Sequence, residues 1–415
     1  MELGKYSFGM GDRFAHQGKA QLRAIMKANE KGLDISPVWN KSNREHIYVH
    51  THPSSVRHEA DEAVTAQGFK GTYFVDADHI NLSSVEPFVE TADFFTLDVA
   101  GFIGKPSSDA DIAAFVASCR KYLGDLKIPG IEKPIKVTEA LLTQVAGKFL
   151  VAIQQAAEIY AYLVEKKGKG NFVTEVSMDE VETPQTPVDM LFILKMIANK
   201  GIPAQTIAPK FTGRFNKGVD YRGDVQQFAR EFEDDILVID FAVKEFGLPK
   251  NLKLSVHSGS DKFTIYPIMG DIVKKHGKGL HVKTAGTTWL EEVIGLAKAG
   301  GDGLALAKEI YANSFDKKDE LCAPYLDVID IDGSKLPSVQ EVNGWSSEKF
   351  VNALRHIPSN PEYNANFRQL VHVAYKVAAD MGDRYISMIE KYSEVIGQCV
   401  EENIYDRHLK RLFGF

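Results

Sequence analysis

Residues 251–267, NLKLSVHSGSDKFTIYP, decide the fold. Leu252, Leu254 and Val256 alternate as the inward face of a strand does, and the run then breaks into His257, Ser258, Gly259, Ser260, Asp261 and Lys262. A buried strand that ends abruptly in a histidine and a small, polar loop is how an α/β barrel presents a reactive site. Gly259 lets the backbone come close to a ligand, and Ser260 or Asp261 can cap the helix that follows. A core histidine before an ordinary strand-to-helix turn explains this one stretch equally well. The rest of the chain tips the balance.

The same pattern recurs seven more times. Strands are predicted at 5–10, 33–39, 72–77, 94–99, 172–176, 204–208 and 280–284, in addition to 252–257. Helical periodicity separates them, with turn signals such as Gly68 and Gly201 closing segments. Predicted helices include 56–67, 109–123, 137–166, 186–199 and 221–246. Eight short strands alternating with helices predict a (β/α)8 TIM barrel. The barrel spans 1–346 with a helical insertion at about 105–170, and 347–415 is a helical C-terminal extension packed on it. Gly9 and Gly11 make a GxG after the first strand, but the third glycine of a dinucleotide-binding turn is missing. No nicotinamide site is therefore expected.

Composition excludes several classes. The chain has 415 residues, 44% of them apolar and 25% charged, enough for a large core. A net charge of −7 and the lack of a basic stripe argue against nucleic acid. Three scattered cysteines make neither a zinc ribbon nor a CxxC pair and fit a reducing compartment. The start, MELGKYSFGMGDRF, carries no export signal, and no apolar run reaches the roughly 20 residues that span a bilayer. A cytoplasmic protein without membrane partners is expected. The long C-terminal helices could serve as an interface in a homo-oligomer.

The chemistry is read from where polar residues fall. The strand ends carry Asp12 and Arg13, Lys41, Asp78 and His79, Asp98, Glu175, Lys210 and Arg214, His257, and Lys283 with Thr284. In a barrel these ends converge on one mouth. Imidazole and carboxylate on separate strands make a catalytic divalent-metal site, suited to zinc, manganese, cobalt or nickel. The expected ligands are His79, Glu175 and His257, with His281 as the rival third ligand although it precedes the body of its strand. Asp78 is a general acid or base, or else orients a neighbouring metal-bound histidine. Glu175 and Lys283 are further catalytic candidates. Asp12, Arg13, Lys41, Lys210, Arg214, Ser260, Asp261, Lys262 and Thr284 are candidate substrate contacts. The excess of cations among them suits an anionic substrate, a carboxylate in particular.

These strand ends resemble a known family. VDADHINL, TEVSMDE, VHSGSDKF and HVKTAGTTW are similar to the tagaturonate epimerase family of hexuronate catabolism, as are GMGDRFAHQGKAQL, PVWNKSNREH and APKFTGRFNKGVDYRGD. The resemblance covers essentially the whole chain. It implies a metal-dependent epimerase that interconverts D-tagaturonate and D-fructuronate, with some members also acting on fructose and tagatose at the fourth carbon. A more distant similarity, to class II metal-dependent aldolases, pairs Asp78, His79 and His257 with their acid/base and ligand positions. Glu175 departs from it, because those enzymes have a further histidine there. The inverted carbon is β to the ketone, so enolisation cannot invert it. A retro-aldol/aldol route can. An aldolase that releases its fragments is the alternative reading, and a sugar-acid-binding barrel without catalysis is another.

Overall fold

A computed structural model of the chain describes residues 1–284 and 286–415. Eight parallel strands close into a barrel: β1 (Tyr6–Met10), β2 (Ile35–Ser42), β3 (Phe74–Ile80), β4 (Phe94–Asp98), β5 (Val173–Ser177), β6 (Thr206–Ala208), β7 (Lys253–His257) and β8 (Leu280–Thr284). Each pairs with its sequence neighbours, and β8 returns to β1 in register from Tyr6–Leu280 to Met10–Thr284. All eight predicted strands are present, and closure leaves the barrel sheet without an edge.

Strand side chains alternate between the lumen and the surrounding helices. Outward residues such as Phe8, Phe95, Val176 and Val282 join the large core beneath the helices. Inside, Leu3, Val38, Phe74, Phe94 and Val173 form a separate apolar floor. Above that floor the lumen turns polar, and this change of character positions the site.

Between β4 and β5 the chain forms helix Asp109–Ser118, an antiparallel ribbon (Gly124–Leu126 with Ile135–Val137) and the long helix Glu139–Lys167. The ribbon was not foreseen, because each of its strands is only three residues long. The helix predicted from residue 221 begins instead at Val225, where the Asp224 carboxylate accepts hydrogen bonds from the amides of Gln226 and Gln227. Residues 214–222 are freed for a loop pinned by an Arg214–Arg222 bridge. The helix after β7 starts at Tyr266 and has no side-chain cap, so neither Ser260 nor Asp261 caps it. Gly259 is there because its φ is +66°, a left-handed conformation that favours glycine.

The C-terminal helices return across the top of the barrel. A Cβ at Gly286 would collide with His372 Nε2, and one at Gly218 would touch His372 Cβ. Gly218 and Gly286 follow β6 and β8, so the helix Ala365–Val373 lies over their C-terminal ends.

Candidate active site

Lys283, inward on β8, is the hub of the lumen. Its ammonium lies 2.7 Å from Asp76 Oδ2, 2.9 Å from Asp78 Oδ1 and 3.0 Å from Glu175 Oε1, and it donates to Thr96 Oγ1. These residues come from β3, β4, β5 and β8, and all are inward positions of the strand alternation. One cation thus faces three buried carboxylates. Burial pushes Asp76 up to about 7. Burial also acts to raise Asp78, but Lys283 and the two histidines outweigh it and hold Asp78 near 2. Glu175 goes down for the same reason: Lys283 and His257 overcome its burial. Lys283 itself is driven well up by the carboxylates against burial, so it is a fixed ammonium rather than a nucleophilic amine.

Next to this hub stand two histidines. His257 Nε2 shares a hydrogen bond of 2.8 Å with Glu175 Oε1, and its Nδ1 lies 3.1 Å from Asp179 Oδ1. The His79 and His257 rings meet edge to face with centroids 5.1 Å apart. Asp78 and His79 are consecutive and should point to opposite faces of the sheet. A register shift between Ala77 and Ile80 and a left-handed φ of +49° at His79 turn that ring back to the mouth. Such a conformation costs of order 1–3 kcal/mol in a non-glycine residue and is a mark of functional sites. Burial opposes protonation of both histidines, but the surrounding carboxylates win and raise His257 to about 9 and His79 well above its usual value.

The donor set fits a divalent metal. One ligating atom from each of His79, Asp179 and His257 lies within 4.8 Å of the others. Ligands at 2.0–2.2 Å from a tetrahedral zinc are roughly 3.5 Å apart, so a small contraction completes the set. The Nδ1 atoms of both histidines are buried without a hydrogen-bond partner among the described residues. A second group, His79, Asp98 and Glu180, shares His79. Glu175, expected as third ligand, lies outside both groups and holds the far nitrogen of His257, as carboxylates behind metal-bound histidines do. His281 shares a 2.8 Å hydrogen bond with Ser7 and stacks near Phe94 in the barrel floor.

The expected substrate contacts divide. Lys210 lines a cleft of about 20 Å³ at the mouth with Asp179, Phe211, Phe215 and His257. Arg13 stacks 3.9 Å above Tyr375 and pairs with Glu45. Lys41 donates to Arg13 O at 2.7 Å, and burial lowers it to about 8. Asp12 accepts the amides of Phe14, Ala15, His16 and Gln17, which shapes the β1 turn. Thr284 donates to Gly9 O. Ser260 accepts from Gly218 N and from Lys262, which burial lowers to about 7. Asp261 is fully buried against Arg368, His356 and His408. Arg214 is half exposed beside Asp330. Sequence reasoning missed Asp76 and Thr96, although VDADH and FFTLD carry them at inward positions. It also passed over Asp179, two residues beyond the strand, where no periodicity applies. A larger cavity of about 660 Å³ lies between helix Glu139–Lys167 and the residues near Thr186, and none of the lumen carboxylates or histidines lines it.

Fold and site together define a TIM-barrel enzyme whose mouth gathers histidines and carboxylates. A family model described as tagaturonate epimerase matches residues 1–412, and the chain belongs to that family; it is an isomerase of the epimerase type. A tagaturonate/fructuronate epimerase from Thermotoga maritima is 29% identical over 98% of this chain and 81% of its own length. Two crystal structures of fructuronate–tagaturonate epimerase UxaE from Cohnella laeviribosi share the fold. The glycerol complex superposes with a TM-score of 0.81 at 24% identity and the native form with 0.79 at 23%, each over 99% of this chain and 82% of the other. No helix among the described residues is long and apolar enough to cross a membrane.

Proposed function

We propose that this protein interconverts D-tagaturonate and D-fructuronate by a metal-assisted retro-aldol/aldol reaction. The observation that carries the reading is the convergence of His79, Asp179 and His257 beside the Asp78–Lys283 pair, in a chain of the tagaturonate epimerase family. His79, Asp179 and His257 would hold a divalent cation, zinc, manganese, cobalt or nickel, which supplies Lewis-acid stabilisation of charge developing on the substrate oxygens.

The chain's own groups do the rest. Asp78 is held at Oδ1 by Lys283, and its carboxylate takes the proton from the hydroxyl on the carbon to be inverted. As that oxygen becomes a carbonyl, the bond to the adjacent carbon breaks and its electrons pass to the ketone side. Lys283 stays protonated and balances the negative charge nearby. The aldehyde half turns over, the bond reforms on the opposite face, and Asp78 returns the proton. No hydride moves, so no nicotinamide is required.

Proton NMR of D-fructuronate tests the proposal with metal-stripped protein and then with each metal restored. Tagaturonate should appear only after metal is restored and without nicotinamide. Free aldehyde fragments would instead favour the class II-type aldolase. Binding of uronate without turnover under any metal would leave a sugar-acid-binding barrel.

A further inference from the structure

A second polar patch lies beside the histidines and has opposite charge. Its centre is a hydroxyl pair, Tyr325 and Tyr375, 2.8 Å apart and buried at the top of the barrel. Four cations surround the two rings: Arg13 at 3.9 Å from Tyr375, and Arg44 at 5.5 Å, Lys217 at 5.2 Å and Lys376 at 5.7 Å from Tyr325. Glu45 answers Arg13 and Glu180 stands 4.0 Å from Arg44, but Lys217 has no carboxylate within 4.0 Å among the described residues. Arg13 Nε is buried without a hydrogen-bond partner, as are both polar atoms of the Asn216 side chain, next to Lys217 in the loop after β6. Buried polar groups are almost always paired, and leaving one unpaired costs about 1–3 kcal/mol. The unpaired Arg13 nitrogen, at the same tyrosine pair as the unanswered Lys217, describes a place built for an anion.

The patch abuts the metal-type cluster. Glu180, which reaches Arg44 on one side, groups with His79 and Asp98 on the other. A ligand whose ketone end meets His79, Asp179 and His257 can therefore lay its other end among these cations. The fixed charge of a ketohexuronate is at that other end.

We infer that Arg13, Arg44 and Lys217, gathered around the Tyr325–Tyr375 pair, form the subsite for the substrate's carboxylate, and that Lys217 is the specificity-determining residue that favours a uronate over a neutral ketohexose. The inference rests on the epimerase reading and extends it to a substrate class. Burial lowers Lys217 below the ordinary lysine value, a penalty that an incoming carboxylate offsets.

The test compares wild type with Lys217→Met and Lys217→Arg, metal-restored, on D-fructuronate, together with calorimetric binding of D-glucuronate and D-glucose. A carboxylate gripped equally in ground and transition states shows in KM rather than kcat. Lys217→Met should raise KM for fructuronate at least tenfold with kcat within twofold, and weaken glucuronate binding in parallel without changing that of glucose. Lys217→Arg should recover most of both losses. An unchanged KM with unchanged glucuronate binding overturns the inference, as does an equal loss for glucuronate and glucose. If wild type turned nothing over but glucuronate binding still depended on Lys217, the epimerase reading would fail while the subsite stood.

Discussion

Two buried charge clusters sit near the mouth, and they are mirror images in composition. Around Lys283 one ammonium faces Asp76, Asp78 and Glu175. Around Asp261 one carboxylate faces Arg368, His356 and His408. The second cluster is closed: Arg368 also donates to Gly218 O and Leu354 O, so its groups are occupied and the C-terminal helices are locked to the β7 loop. The first is open: its negative excess is left over for chemistry, beside histidines whose Nδ1 atoms lack hydrogen-bond partners among the described residues. Both are equally deep in the protein. What separates structure from function is whether the hydrogen-bonding capacity is used up.

Breaking the closed cluster should have the largest effect. Asp261→Ala strands a guanidinium that is fully buried, and removing one partner of a buried pair costs about 3–5 kcal/mol. Denaturant unfolding measures it. A loss under about 1 kcal/mol would mean that the seam is not held by charge.

In the open cluster the order reverses. His257→Asn should lower kcat/KM by at least about a hundredfold, which is about 2.7 kcal/mol of transition-state stabilisation. Its unfolding free energy should move by less than that, since Glu175 keeps Lys283 as a partner. Equal losses in both quantities would make His257 a packing residue.

The clusters also answer pH with opposite sign. Asp261 is held far below its ordinary value by Arg368 and the two histidines against burial, so its contribution is complete above about pH 4 and is lost as the pH falls below that. Asp76 keeps its proton to about pH 7 in the folded chain. An unfolded aspartate releases it near 3.9, so the folded state holds the extra proton in between, and stability falls as pH rises from about 4 to 7. Asp76→Asn removes that penalty. The variant should gain stability relative to wild type on going from pH 5 to pH 8, by chemical denaturation at the two pH values. A gain of the same size at pH 5 would contradict the titration.

Legibility in the sequence followed the same division. The strands were readable because short apolar runs ended at polar residues, and the inward alternation delivered Asp78, Glu175, His257 and Lys283 at once. His79 was expected at the mouth because the strand was predicted to stop at residue 77; the strand runs on to Ile80, simple alternation sends His79 outward, and the bulge that turns it back has no sequence period. Asp179, Lys217 and Tyr375 lie on loops or on helices far along the chain. Their meeting depends on the path of residues 214–222 and of the C-terminal helices, which local pattern does not encode. The insertion's ribbon was missed for a different reason, since three-residue strands carry too little alternation to register.

The smallest effect tests where the site ends. Arg214 was expected among the substrate contacts because it follows β6 within a few residues. Its side chain is 50% exposed, lies 3.8 Å from Asp330 and shares that carboxylate with Arg222. An exposed pair of this kind contributes about 0–1 kcal/mol. Arg214→Ala should leave stability within about 0.5 kcal/mol and the KM for fructuronate within twofold. Lys217, three residues further on, should move the same KM tenfold. If Arg214→Ala raised KM as much as Lys217→Met, the cationic patch would extend across the loop to solvent, and the carboxylate would be recognised by a field of charge rather than by a buried subsite. The ionic strength dependence would then separate the two, because a field at the surface is screened within about 8 Å at physiological salt and a buried contact is not.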